Sequence, residues 1–173
     1  MRTVTQNWRD ICSMLKNFEE LSGSSQDLYL AFCKWLRENR NHFDKKTWNA
    51  YGFDKYINLN PSLYVAEFTE GTVQDNVERF ARYKPNSIDT LAMFIRDILW
   101  DIIVFKTNIE CARCGDDHFR ALANPETNEI FLSCDRCTWT QSMSGVRRCG
   151  PKILIPARKN LLMDFMNNNG TSS

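Results

Sequence analysis

The chain has 173 residues, 43% of them hydrophobic, and 22 Lys and Arg against 21 Asp and Glu, for a net charge of +1. That length can bury a core without staples, and the near-balance of charge excludes a global basic field of the kind that attracts nucleic acid. Seven cysteines, an odd number, with no uninterrupted apolar run at the start, fit a reducing cytoplasmic setting and metal ligation better than secretion and disulfides.

The first half reads as helices. Trp8, Ile11, Cys12, Leu15 and Phe18 recur at steps of three and four residues and share one face. The run Ser22, Gly23, Ser24, Ser25 closes that helix and offers a cap for the next, whose stripe is Leu28, Phe32, Trp35 and Leu36. A short helix is expected after Asp44, with Gly52 as its stop. Asn60, Pro61 and Ser62 mark a turn or a helix start. Thr72 and Asp75 form a capping pair for a helix to about Tyr83, which Lys84, Pro85 and Asn86 break. Ser87 then caps the strongest helix, with Leu91, Phe94, Ile95, Ile98, Leu99 and Ile102 on one side. Arg96, Asp97 and Asp101 interrupt this apolar stretch, which is also too short to span a bilayer.

Character changes at Lys106. Two strands, Phe119 to Leu122 and Glu129 to Leu132, flank the turn-rich segment from Asn124 to Asn128 and predict a hairpin. Gly150 and Pro151 break the chain again. Ala157 to Met166 reads as a final helix with Leu161, Leu162 and Phe165 inward, and Asn167 to Ser173 as a frayed tail. The class is therefore α+β: a helical domain over 1–105, a small β-hairpin unit over 106–155, and a short helix and tail over 156–173.

The chemistry concentrates in four cysteines. Cys111 and Cys114 form one Cys-x-x-Cys pair, nineteen residues intervene, and Cys134 and Cys137 form the second. A tight turn presents two thiolates to one ion, and two such turns complete the tetrahedron that Zn²⁺ prefers. Residues 111–141 resemble a zinc ribbon, with Gly115 suited to the first turn. The resemblance implies a structural Zn²⁺, because four cysteines leave no open coordination position for catalysis. Iron is chemically compatible with the same donors. His118, four residues beyond Cys114, could replace a cysteine ligand, though a surface or hydrogen-bonding role is the plainer reading, and Cys149 could serve as an alternate ligand.

The remaining candidates are weaker. Cys12 and Cys33 fall on or beside apolar stripes and read as core; His42 lies in a polar segment and reads as solvated. Cys149 stands beside Arg147 and Arg148, which favour a thiolate, but no base accompanies it. Arg147, Arg148, Lys152, Arg158 and Lys159, with Arg113, Arg120 and Arg136, could form a phosphate-contacting face on which Phe119 and Trp139 stack bases. The plainer alternative is a solvated face over ordinary core aromatics. Asp116, Asp117, Glu126, Glu129 and Asp135 interrupt that face.

No paired carboxylates, phosphate loop or nucleophile elbow is recognisable, so a binding protein is expected rather than an enzyme. In size, compactness and cytosolic character the whole chain resembles bacterial immunity proteins, which neutralise a cognate toxin, often a nuclease, by covering its active site. That resemblance implies a protein partner and no membrane, with acids such as Asp116, Asp117 and Asp135 facing a basic toxin surface. The alternative is a nucleic-acid-associated accessory or transcriptional factor acting through Arg147, Arg148 and Lys152.

Overall fold

The computed structural model describes residues 3–21, 24–64, 78, 79, 82, 84–116, 119–142 and 154–169. The chain divides into two compact units, Met1–Pro61 with Glu67–Ile102, and Ser62–Ala66 with Ile103–Ser173. Among the described residues no helix is long and apolar enough to cross a membrane.

The first unit is helical. Helix α1 (Val4–Leu21) opens on a reciprocal cap: the Thr3 hydroxyl accepts from the Gln6 amide at 3.2 Å, and the Gln6 side chain accepts from the Thr3 amide at 2.9 Å. Its Ile11 and Leu15 are fully buried, as the stripe predicts, while Trp8, Cys12 and Phe18 are half-buried. Helix α2 (Ser25–Glu38) is capped by Ser24 and Asp27 in the same reciprocal way, and buries Leu28, Tyr29, Phe32, Cys33, Trp35 and Leu36. After a single 3-10 turn at Arg40–His42 comes α3 (Lys45–Ala50), where Asp44 accepts from the Thr47 amide at 2.7 Å.

Gly52 does more than stop α3. Its φ of +64° reverses the chain directly into α4 (Phe53–Ile57), an element the periodicity does not predict. Phe43, Trp48 and Phe53 then pack mutually edge to face, with centroids 5.1–5.8 Å apart. The Tyr29 hydroxyl donates to the Tyr56 carbonyl at 2.7 Å and ties α2 to α4. Pro61–Leu63 is a 3-10 turn. Of the helix expected from Thr72, only Glu78, Arg79 and Arg82 are described, all helical, and its capping pair lies outside the described residues. Ser87 caps α5 (Ile88–Ile103) as predicted, its hydroxyl accepting from the Thr90 amide at 3.1 Å. Leu91, Ile95, Ile98, Leu99 and Ile102 are fully buried along it.

The second unit is built on an antiparallel sheet. Strands β1 (Phe119–Ala123) and β2 (Ile130–Cys134) form the predicted hairpin, each reaching beyond its expected end. Asn124 makes the turn: its side chain accepts from the Glu126 amide at 2.9 Å, and Asn128 takes a φ of +58°. The sheet, however, is four-stranded rather than a bare hairpin. Strand β3 (Thr140–Ser142) pairs with β2 and β4 (Ile155–Pro156) with β1, giving the order β3-β2-β1-β4. At three and two residues, these strands are too short for an alternation to register.

Register places Phe119, Ala121 and Ala123 opposite Cys134, Leu132 and Ile130. These six side chains form one buried cluster with Cys111, Ala157 and Leu162. Leu162 belongs to the last helix, α6 (Lys159–Asn169), which begins two residues later than expected. It also continues through Asn167–Asn169, where fraying is the expectation from sequence. The metal-type cysteines are thus extensions of a hydrophobic core: Cys111 and Cys134 belong to it, and Cys114 and Cys137 pack against it.

Candidate metal centre

The sheet brings all four cysteine sulfurs of the two Cys-x-x-Cys pairs within 4.8 Å of one another. Cys111 and Cys114 lie in the loop that precedes β1; Cys134 ends β2 and Cys137 follows in the next turn. Across the two pairs, the Cys111 and Cys137 sulfurs are 3.7 Å apart and those of Cys114 and Cys134 3.6 Å. A disulfide needs about 2.0 Å. The edge of a tetrahedron with metal–sulfur bonds of about 2.3 Å is about 3.8 Å, so the spacing fits one central ion.

The two turns are built alike. In the first, the Gly115 amide donates to the Cys111 carbonyl at 2.9 Å and the Cys111 amide to the Asp116 carbonyl at 2.6 Å. In the second, the Thr138 amide donates to the Cys134 carbonyl at 3.0 Å and the Cys134 amide to the Trp139 carbonyl at 2.9 Å. The fourth residue after the leading cysteine has a positive φ in both, +70° at Gly115 and +58° at Thr138. The glycine is visible in the sequence as a turn former; the threonine is not, because β-branched residues disfavour that region.

This backbone also aims donors at sulfur. The Arg113 and Cys114 amides face the Cys111 sulfur, and the Arg136 and Cys137 amides face Cys134, the same two positions in each turn. Burial opposes ionisation of Cys111, but those amides and the sulfurs of Cys137 and Cys114 pull its thiol down to about 7. At Cys114 the Asp116 amide favours the thiolate, yet burial and the neighbouring sulfurs outweigh it and push the thiol up to about 12. Burial also raises Cys134 against its two amides. The first thiolate to form therefore opposes the next. Four thiolates at this spacing require a cation among them, so the donor set fits a thiophilic metal ion.

An ion pair with a buried guanidinium braces the second turn. Arg120 on β1 is only 4% exposed and reaches Asp135 at 2.5 Å, with a further donation to the Val104 carbonyl at 3.3 Å. This removes Arg120 from any phosphate-contacting face. Phe119, expected as a stacking residue, is fully buried in the sheet core and cannot present its ring. Trp139 is half-buried, carries the Arg113 guanidinium 5.7 Å over its ring and donates to Gln141 at 3.0 Å. Arg113, Arg136, Arg158 and Lys159 are exposed. Arg147, Arg148, Cys149, Lys152 and His118 lie outside the described residues.

In the helical unit Cys33 is buried and Cys12 half-buried. His42 is not freely solvated: it is half-buried, and its Nδ1 is enclosed with no hydrogen-bond partner among the described residues. The Arg120–Asp135 pair had no sequence signal, since the two residues meet only through the β1–β2 register. Compared with protein-family models, with curated proteins and with solved structures, the chain matches none of them.

Proposed function

We propose that the chain is a non-enzymatic zinc-ribbon protein that acts by binding another protein, with Cys111, Cys114, Cys134 and Cys137 holding one structural Zn²⁺. The carrying observation is the repeated turn: Cys111–Cys114 and Cys134–Cys137 are held by the same backbone hydrogen bonds, and their sulfurs meet across the two turns at 3.6–3.7 Å. Thiolate donors in a tetrahedral set favour zinc among the common divalent ions, and four of them close its coordination shell. A closed shell holds structure and leaves no position at which water or substrate could be activated.

Two observations favour a protein partner over nucleic acid. Pairing to Asp135 withdraws Arg120 from the surface, and burial withdraws Phe119. The specific form suggested by the sequence is an immunity-type inhibitor that covers a cognate toxin, and the resemblance in size and character is its support. Metal analysis of the purified protein tests the site: one zinc per chain is expected, none in a Cys111→Ser or Cys134→Ser variant, and iron in place of zinc would correct the ion. Capture from the native lysate on tagged, zinc-loaded protein tests the role. A stoichiometric protein that survives nuclease treatment is expected; recovery of nucleic acid instead would install the accessory-factor reading.

A further inference from the structure

We infer that a groove at the start of α6 is a docking site for an acidic, apolar segment of a partner protein, an inference that rests on the protein-binding reading but not on the partner being a toxin. The groove has a volume of about 370 Å³ and is lined by Ser62, Leu63, Arg158, Lys159, Asn160 and Met163. Five large hydrophobic side chains are exposed among the described residues, and two of them, Leu63 at 45% and Met163 at 55%, line this one groove. They come from segments one hundred positions apart, so their meeting is a product of the fold and not of a local apolar run. Clustered exposed apolar surface with a polar rim marks interaction sites more often than scattered single residues do.

The rim fixes the chemistry. Arg158 and Lys159 are exposed, and no ion pair occupies either of them among the described residues. The only carboxylate on α6, Asp164, does not line the groove. Two exposed cations, with no ion-pair partner among the described residues, beside two apolar side chains complement a stretch that alternates carboxylates with aliphatic residues. Nucleic acid would find the cations but no aromatic platform, because Leu63 and Met163 offer no ring on which a base could stack. The volume sits near the lower end for small-molecule pockets, enough for a pair of side chains.

A short fluorescein-labelled peptide alternating Glu with Leu is the probe, titrated by anisotropy against the full zinc-loaded chain. Saturable binding is expected, weakened roughly tenfold by Arg158→Glu with Lys159→Glu and similarly by Met163→Ser, all at exposed positions. Counterpart peptides with Gln for Glu, or Ser for Leu, should each bind roughly tenfold more weakly. Absence of saturation, equal binding by the charge-reversed variant, or equal binding of the Glu–Ser peptide overturns the groove. So does a single-stranded oligonucleotide that binds more tightly and is lost in the same variant. Failure of the wider reading shows elsewhere, as a lysate from which wild type captures no protein. A captured partner that the charge-reversed variant retains would keep that reading and overturn this site.

Discussion

Arg120 and Asp135 are unequally placed, and that inequality predicts which of them matters more. The guanidinium is 4% exposed and the carboxylate 53%. Asp135→Asn takes the counter-charge from a buried guanidinium, which keeps its donation to the Val104 carbonyl, and should cost about 3 kcal/mol, whereas Arg120→Met leaves a carboxylate that water already reaches and should cost about 1–2 kcal/mol. Urea denaturation of the two metal-loaded variants measures both, and the reverse order would mean that Arg120 serves mainly as packing. Gly115 gives a second test at this scale. A Cβ built there meets the Glu110 carboxylate no closer than 3.5 Å, so space is adequate and the cost of Gly115→Ala lies in its φ of +70°. About 1–2 kcal/mol is expected in the same assay. Thr138 already bears that conformational cost in the second turn, at a φ of +58°.

At the scale of elements, the apolar stripes supply most of the stability of the helices and the caps fix where they begin. Ser24→Ala should cost α2 about 1 kcal/mol, read as a loss of thermal stability, because it removes the hydroxyl that accepts from Asp27. The contact of α2 with α4 should also fail in alkali. Burial pushes the Cys33 thiol from 9.0 up to about 11, with Tyr29 and Arg37 opposing; burial likewise pushes Tyr56 from 10.0 up to about 12, with Arg96 opposing and Asp97 adding. Both groups are neutral when folded and ionise more readily when unfolded. Their contribution is complete below the unfolded values and is lost as pH rises, over 9 to 11 for Cys33 and 10 to 12 for Tyr56. Urea midpoints across that window should fall, and Cys33→Ala should flatten the earlier part of the decline. Much of this unit is legible in the sequence, since Ile11, Leu15, Phe32, Leu36, Leu91 and Ile95 repeat at helical spacing and are all fully buried. What is not legible depends on contacts distant in the chain or on elements too short to show a period. Gly52 signals an end but not that the chain re-enters a helix at once, and β3 and β4 carry no alternation. In the candidate site the spacing identifies the four cysteines, while the amides behind them and the Arg120 brace emerge only from backbone geometry and strand register.

At the scale of the molecule, the two units should respond differently to metal removal. Trp8, Trp35, Trp48 and Trp100 belong to the helical unit, and Trp139 alone to the sheet unit. The helical unit has its own core of fully buried Ile, Leu, Phe and Trp side chains. The sheet unit is smaller, and its buried cluster includes Cys111 and Cys134 themselves, with Cys114, Cys137 and Trp139 packed against it. Without a cation among them, the four sulfurs within 4.8 Å cannot all be ionised, at the point where β2 ends and the loop to β1 turns. Structural zinc contributes its binding energy directly to folding, so a chelator should unfold the sheet and leave the helices standing. The five indole N–H resonances in a ¹H–¹⁵N spectrum report this separately. Four should hold their positions on chelation, and the Trp139 signal, fixed by its donation to Gln141 at 3.0 Å, should move to the unfolded position and return with added zinc. Movement of all five together would mean that the units fold as one. An unmoved Trp139 under full chelation would show that the sheet needs no metal, and the structural role assigned to the four cysteines would fall with it.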